Sequence, residues 1–89
     1  MIKKDITIIN KLGLHARAAA KLVTCASQFT SDIRLSCNGQ DVNGKSIMGV
    51  MMLAAAKNSS ITVTAEGDDG STAVTALEKL VADRFGEEE

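Results

Sequence analysis

Asp32 to Asn43 reads DIRLSCNGQDVN, and its middle decides the architecture. Ile33, Leu35 and Cys37 alternate with Asp32, Arg34 and Ser36, the period-two pattern of a strand with one apolar face. Asn38-Gly39 follows. That dipeptide tolerates the two positive φ angles of a type I′ turn, so the chain is predicted to fold back into a short strand at Gln40 to Asn43. A hairpin this tight commits its part of the sheet to antiparallel pairing.

On the N-terminal side, Ile6 and Ile8 flank Thr7 in a β-branched run, and residues 3 to 9 are expected to form another strand, with Asn10 to Leu14 as a loop. ARAAAKLVTCASQF, from Ala16, then keeps Ala19, Leu22, Val23 and Ala26 at helical spacing and leaves Arg17, Lys21, Thr24 and Gln28 outside. On the C-terminal side a second Asn-Gly, Asn43-Gly44, closes the short strand. Ser46 stands where an N-cap belongs, ahead of IMGVMMLAAAK, which is expected to be a short helix. SSITVTAE alternates as a strand, Gly67 to Gly70 turns, and Ala73, Val74, Leu77, Leu80 and Val81 mark a last amphipathic helix. The acidic tail EEE is expected to fray. The order βαββαβα fits an α+β fold, a mainly antiparallel four-stranded sheet with helices on one face.

At 89 residues the chain has the length of a single domain, here residues 1–89. Its 45% hydrophobic content is enough for a core, but Trp and Tyr are absent and only Phe29 and Phe85 are aromatic. Base stacking has no platform, and a net charge of −1 leaves no electrostatic footprint for nucleic acid. MIKKDITII has no signal-like apolar region, and no run nears the roughly 20 apolar residues of a bilayer span, so no membrane insertion and a cytoplasmic location are expected. Cys25 and Cys37 form no CxxC pair, have no His at metal spacing, and are expected to behave as small buried hydrophobes. No metal site and no cofactor are called for.

The one histidine, His15, lies in LGLHARAAAKLV, where the first long helix should begin. A helix N-terminus offers backbone N–H groups without intrahelical acceptors, disfavours imidazolium and favours a bound anion. A neutral imidazole there is a competent nucleophile, and Arg17 can add a charge-assisted bond to the anion it acquires. The alternative is a surface cap on a solvated face, and spacing alone leaves both open. No second His, Cys-His pair or carboxylate dyad is placed to complete an independent active site. If His15 reacts, its other catalytic groups belong to a partner.

IINKLGLHARAAAKLV and VNGKSIMGVMMLAAAKNSSI, in that order and at that separation, resemble the histidine-containing phosphocarrier (HPr) family of the bacterial phosphoenolpyruvate-dependent phosphotransferase system. The resemblance covers essentially the whole chain. It implies an open-faced β-sandwich, four antiparallel strands covered by three helices. It further implies that His15 accepts a phosphoryl group on Nδ1 from phosphorylated enzyme I and passes it to an enzyme IIA-type domain, with Arg17 stabilising the group. Such a carrier is a substrate of phosphotransferases rather than an enzyme, and is expected to be monomeric. Sugar uptake and the nitrogen-related branch share the motif. By the same resemblance Ser46 is a target of a dedicated serine kinase, and Met48 and Met51, bordered by Ile47, belong to a partner-binding patch. On residues alone, Met48, Met51 and Met52 cluster on one helix face, as core filling or as an adaptable docking surface. A regulatory interaction module switched at Ser46 or His15 is the alternative function, and the intact GLHAR favours the carrier.

The chain departs from that family at Ala18, where proline is usual. Proline in a first helical turn sacrifices only an N–H that has no partner. Alanine is expected to keep the helix and add a donor.

Overall fold

A computed structural model describes residues 1–88. The elements are β1 (Ile2–Thr7), α1 (Ala16–Ala26), β2 (Asp32–Cys37), β3 (Gln40–Asn43), α2 (Ile47–Met52), β4 (Ser60–Glu66) and α3 (Gly70–Ala82), followed by a 3-10 turn at Arg84–Gly86. One sheet holds the strands in the order β1-β4-β2-β3, each neighbouring pair antiparallel. The expected open-faced α+β sandwich is the fold observed.

Local chemistry explains the sheet. Asn38 and Gly39 take φ angles of +51° and +83°, the pair of positive values that a type I′ turn requires, and β2 then returns as β3 with Leu35 opposite Val42. β4 inserts between β1 and β2, setting Ile61 opposite Ile6, Val63 opposite Leu35 and Ala65 opposite Ile33. This register stacks the apolar residues of three strands on one face. α1 contributes Ala18, Ala19, Leu22, Val23 and Ala26 to the core over that face, and α3 contributes Ala73, Val74, Leu77 and Val81. The other face carries polar residues, with Thr62 donating its hydroxyl to Asp5 at 2.7 Å and Arg34 donating Nε–H to Asp41 at 2.9 Å. β1 and β3 are the sheet's two edges.

Two expectations are corrected. The helix after Ser46 stops at Met52, because Leu53 is its C-cap and Ala54 turns to φ +50°. The alanine run has high helix propensity, but each residue's preference is worth only tenths of a kcal/mol, roughly, and tertiary contacts outweigh it. The Ala55 carbonyl accepts the Leu14 N–H at 2.8 Å, and Ala55 is buried. The acidic tail also does not fray at Glu87, which is held by Asn10 and His15, whereas Glu89 lies outside the described residues. Phe85, the largest fully buried side chain, anchors the chain just before Glu87.

Candidate functional site

The loop before α1 is shaped by Gly13. Its φ is +67°, and a Cβ there would stand 2.5 Å from the Ala55 carbonyl oxygen and 2.9 Å from Ala56 Cα. Glycine alone satisfies both the backbone sign and the close approach. Gly13 N–H bonds to Asn10 O at 3.2 Å, and the buried Asn10 side chain donates from Nδ2 to Gly13 O at 2.9 Å. The loop is thereby closed on itself and tied to the segment after α2. It delivers His15 to a fixed place.

His15 is the N-cap of α1, with an extended backbone (φ −76°, ψ 178°) and its carbonyl accepting the Ala19 N–H at 2.8 Å. Its imidazole makes no capping bond. The ring is half-buried, with Nε2 against the Glu87 carboxylate. Glu87 Oε1 accepts from Asn10 Nδ2 at 2.9 Å, so one carboxylate joins both side chains. Burial acts to raise the Glu87 pKa, but the bonds from Asn10 and His15, with the charges of His15 and Lys21, outweigh it and hold the carboxyl below its ordinary range.

His15 opens on a groove of about 860 Å³ lined also by Lys11, Leu12, Arg17, Lys21 and Glu87. Lys21 donates from Nζ to the Phe85 carbonyl at 2.6 Å, fixing the last turn of the chain over α1. Arg17 is exposed, and among the described residues no hydrogen bond or ion pair engages it. Three cationic side chains beside the start of an eleven-residue helix suit an anion that carries several negative oxygens. His15 and Arg17 are thus brought together, as the spacing predicts. Glu87 and Asn10 were missed in the sequence, because no local pattern links residues 77 and 72 positions apart.

Ser46 lies outside that groove. It caps α2, its Oγ accepting the Gly49 N–H at 3.1 Å while its carbonyl accepts the Val50 N–H at 2.9 Å. α2 buries only Val50 and packs against α1 and β3. Ile47, Met48, Met51 and Met52 are 45%, 74%, 42% and 66% exposed, so the methionines do not fill the core. Leu12, 67% exposed, extends apolar surface onto the His15 loop. Cys37 is buried as expected, whereas Cys25 is only half-buried, packed against the core with its thiol pushed up by burial. No helix of the described residues is long and apolar enough to cross a membrane.

The family model for the PTS HPr component phosphorylation site matches residues 2–83. Phosphocarrier protein HPr of Cupriavidus necator is 55% identical over 89 residues, spanning the whole of both chains. The crystal structure of HPr-C-His from Thermoanaerobacter tengcongensis superposes with a TM-score of 0.96 at 45% identity, covering all of both chains. A crystal structure of an HPr dimer from the same organism, also 45% identical, covers 98% of this chain and all of its own with a TM-score of 0.79.

Proposed function

This chain belongs to the HPr family of phosphotransferase-system phosphocarriers, and from that premise we propose that His15 accepts a phosphoryl group from phosphorylated enzyme I on Nδ1 and hands it to an enzyme IIA-type domain. The observation that carries the reading is the placement of the only histidine at the start of α1, in a groove shared with Arg17 and Lys21. The unbonded first-turn N–H groups and the two cations supply attraction for the group's oxygens. Arg17, with no competing partner among the described residues, is the side chain free to follow the phosphoryl group as it moves.

As in the family, the protein serves as a substrate, and the chemistry is completed by whichever partner docks, since the described residues bring no independent set of acid, base and nucleophile to His15. Docking falls to the exposed Ile47, Met48 and Met51 of α2, which packs beside α1. Flexible thioethers adapt to more than one surface, which suits a protein with an upstream donor and a downstream acceptor. Ser46, at the head of the same helix, is the site at which a serine kinase would regulate that docking. The carrier works as a monomer in this scheme, and light scattering at working concentration checks it against the dimer known for the Thermoanaerobacter protein.

Incubation with enzyme I, phosphoenolpyruvate and Mg²⁺ is expected to add a single acid-labile phosphoryl group by intact mass, absent from His15→Ala. An acid-stable adduct, or one that persists in the variant, overturns the assignment.

A further inference from the structure

The carrier chemistry requires one ring nitrogen of His15 to present a lone pair, yet a free neutral imidazole divides its proton between two nitrogens. Nothing in the His15 loop itself resolves that choice. The resolving group comes from the other end of the sequence. Glu87 Oε2 meets His15 Nε2, and Glu87 Oε1 accepts from Asn10 Nδ2 at 2.9 Å. Asn10 is fully buried and donates from the same nitrogen to Gly13 O at 2.9 Å. With acceptors on both sides, the amide nitrogen must be the end that faces Glu87, while Asn10 Oδ1 is buried without a partner among the described residues. The orientation of Asn10 therefore serves the carboxylate, and the carboxylate serves the ring.

We propose that Glu87 is a positioning residue for His15: as an acceptor-only group at Nε2 it keeps the ring proton there and leaves Nδ1 unprotonated toward the groove, with Asn10 holding the carboxylate in place. The inference rests on the reading of His15 as phosphoryl acceptor. In the transfer, Nδ1 forms its bond to phosphorus as the bond from phosphorus to the donor atom breaks, and that electron pair leaves on the donor. Nε2 keeps its proton throughout. The ring gains positive charge as Nδ1 becomes fully substituted, and the Glu87 carboxylate lies against the proton that shares it. Outward transfer reverses these steps and returns the ring to the same tautomer. Phe85 and the Lys21 to Phe85 hydrogen bond locate the chain that carries Glu87, so the carboxylate is presented by a packed anchor.

Glu87→Ala removes the acceptor. Glu87→Gln offers only one acceptor end to two donors, Asn10 Nδ2 and His15 Nε2, so it cannot restore the bridge. Both variants lie beyond α3 and should keep the fold, losing at most the stability of the bonds to Asn10 and His15. Long-range proton–nitrogen NMR on ring-labelled protein is expected to show the Nε2–H form dominating in the parent and a mixture with Nδ1–H in both variants. The rate of phosphoryl acceptance from enzyme I should fall by roughly tenfold, the low end of the losses found when carboxylates orienting metal-bound imidazoles are removed, with little change in the KM for the protein. Asp83→Asn, which deletes another carboxylate near the end of α3, should leave both readings unchanged. An unchanged tautomer ratio in Glu87→Ala overturns the proposal, and so does an altered ratio without a slower rate. If the parent accepts no phosphoryl group, the carrier reading fails, whereas the NMR comparison still decides whether Glu87 sets the ring.

Discussion

Ser31 and Asp69, 38 positions apart, are joined through backbone and side chain together: Asp69 Oδ1 accepts the Ser31 N–H at 2.9 Å and the Ser31 hydroxyl as well. Asp69 Oδ2 takes the Thr30 N–H at 2.8 Å, so one carboxylate clamps the turn entering β2 to the start of α3. The hydroxyl bond from Ser31 and the backbone bond from Thr30 lead in lowering its pKa from 3.8 to about 2.

A depressed folded-state pKa means that the unfolded chain takes up the proton first on acidification. The stability that Asp69 contributes is therefore complete above about 3.8 and is lost as pH falls through about 2. Asp69→Asn should be less stable than the parent at neutral pH, and the gap should close across that window. Urea midpoints in a pH series test this, and a gap that stays constant down to pH 2 would falsify the linkage.

Gly13→Ala is expected to destabilise by about 1–3 kcal/mol, combining a left-handed φ with an overlap on the Ala55 carbonyl. Because the loop must shift to relieve that overlap, the bond from Leu14 N–H to Ala55 O should weaken too. Thermal melts give the first quantity and amide exchange at Leu14 the second. Neither should change if the loop is slack.

Arg17→Ala should slow phosphoryl transfer while leaving the melting temperature within about a degree, since surface side chains without partners contribute at most about 0.5 kcal/mol. Arg17→Lys is expected to rescue partly, keeping the charge but losing the planar fork. Parallel loss of transfer and of stability in Arg17→Ala would assign it a structural role instead.

Ser46→Ala removes the acceptor of the Gly49 N–H and should cost about 1 kcal/mol. Ser46→Asp keeps an acceptor at the cap, so its stability should stay close to the parent's, yet the new charge beside Ile47 and Met48 should weaken docking to enzyme I. NMR titration following residues 15–20 and 46–53 separates the two effects. Equal affinity of parent and Ser46→Asp would leave the serine as a cap alone.

Which features were readable in advance follows from their range along the chain. The β2–β3 hairpin depends on Asn38 and Gly39 in contact with their own strands, and Ser46 caps its helix through an N–H three residues on, so both could be read locally. His15 and Arg17 share the first turn of α1 and were placed in the same way. The failures are long-range. Ala54 leaves the helical region because the segment after it must reach Leu14, a demand invisible in an alanine run. Glu87 looked like one of three interchangeable acids, and only the Phe85 anchor distinguishes it.

An antiparallel sheet left open on both sides exposes rows of backbone donors and acceptors that can template further strands and seed aggregation. The two edges here are blunted by different means. β3 is only four residues long, QDVN, with three of them exposed. β1 carries Lys3, Lys4 and Asp5 in succession, all exposed, along half of its six residues. A strand arriving at β3 finds too few backbone groups to hold it, and one arriving at β1 must desolvate or lie against charged side chains. Self-templating is thus opposed at both borders, while the apolar residues of α2 remain uncovered on a helical turn, which presents no extended row of backbone groups for a stray strand to join.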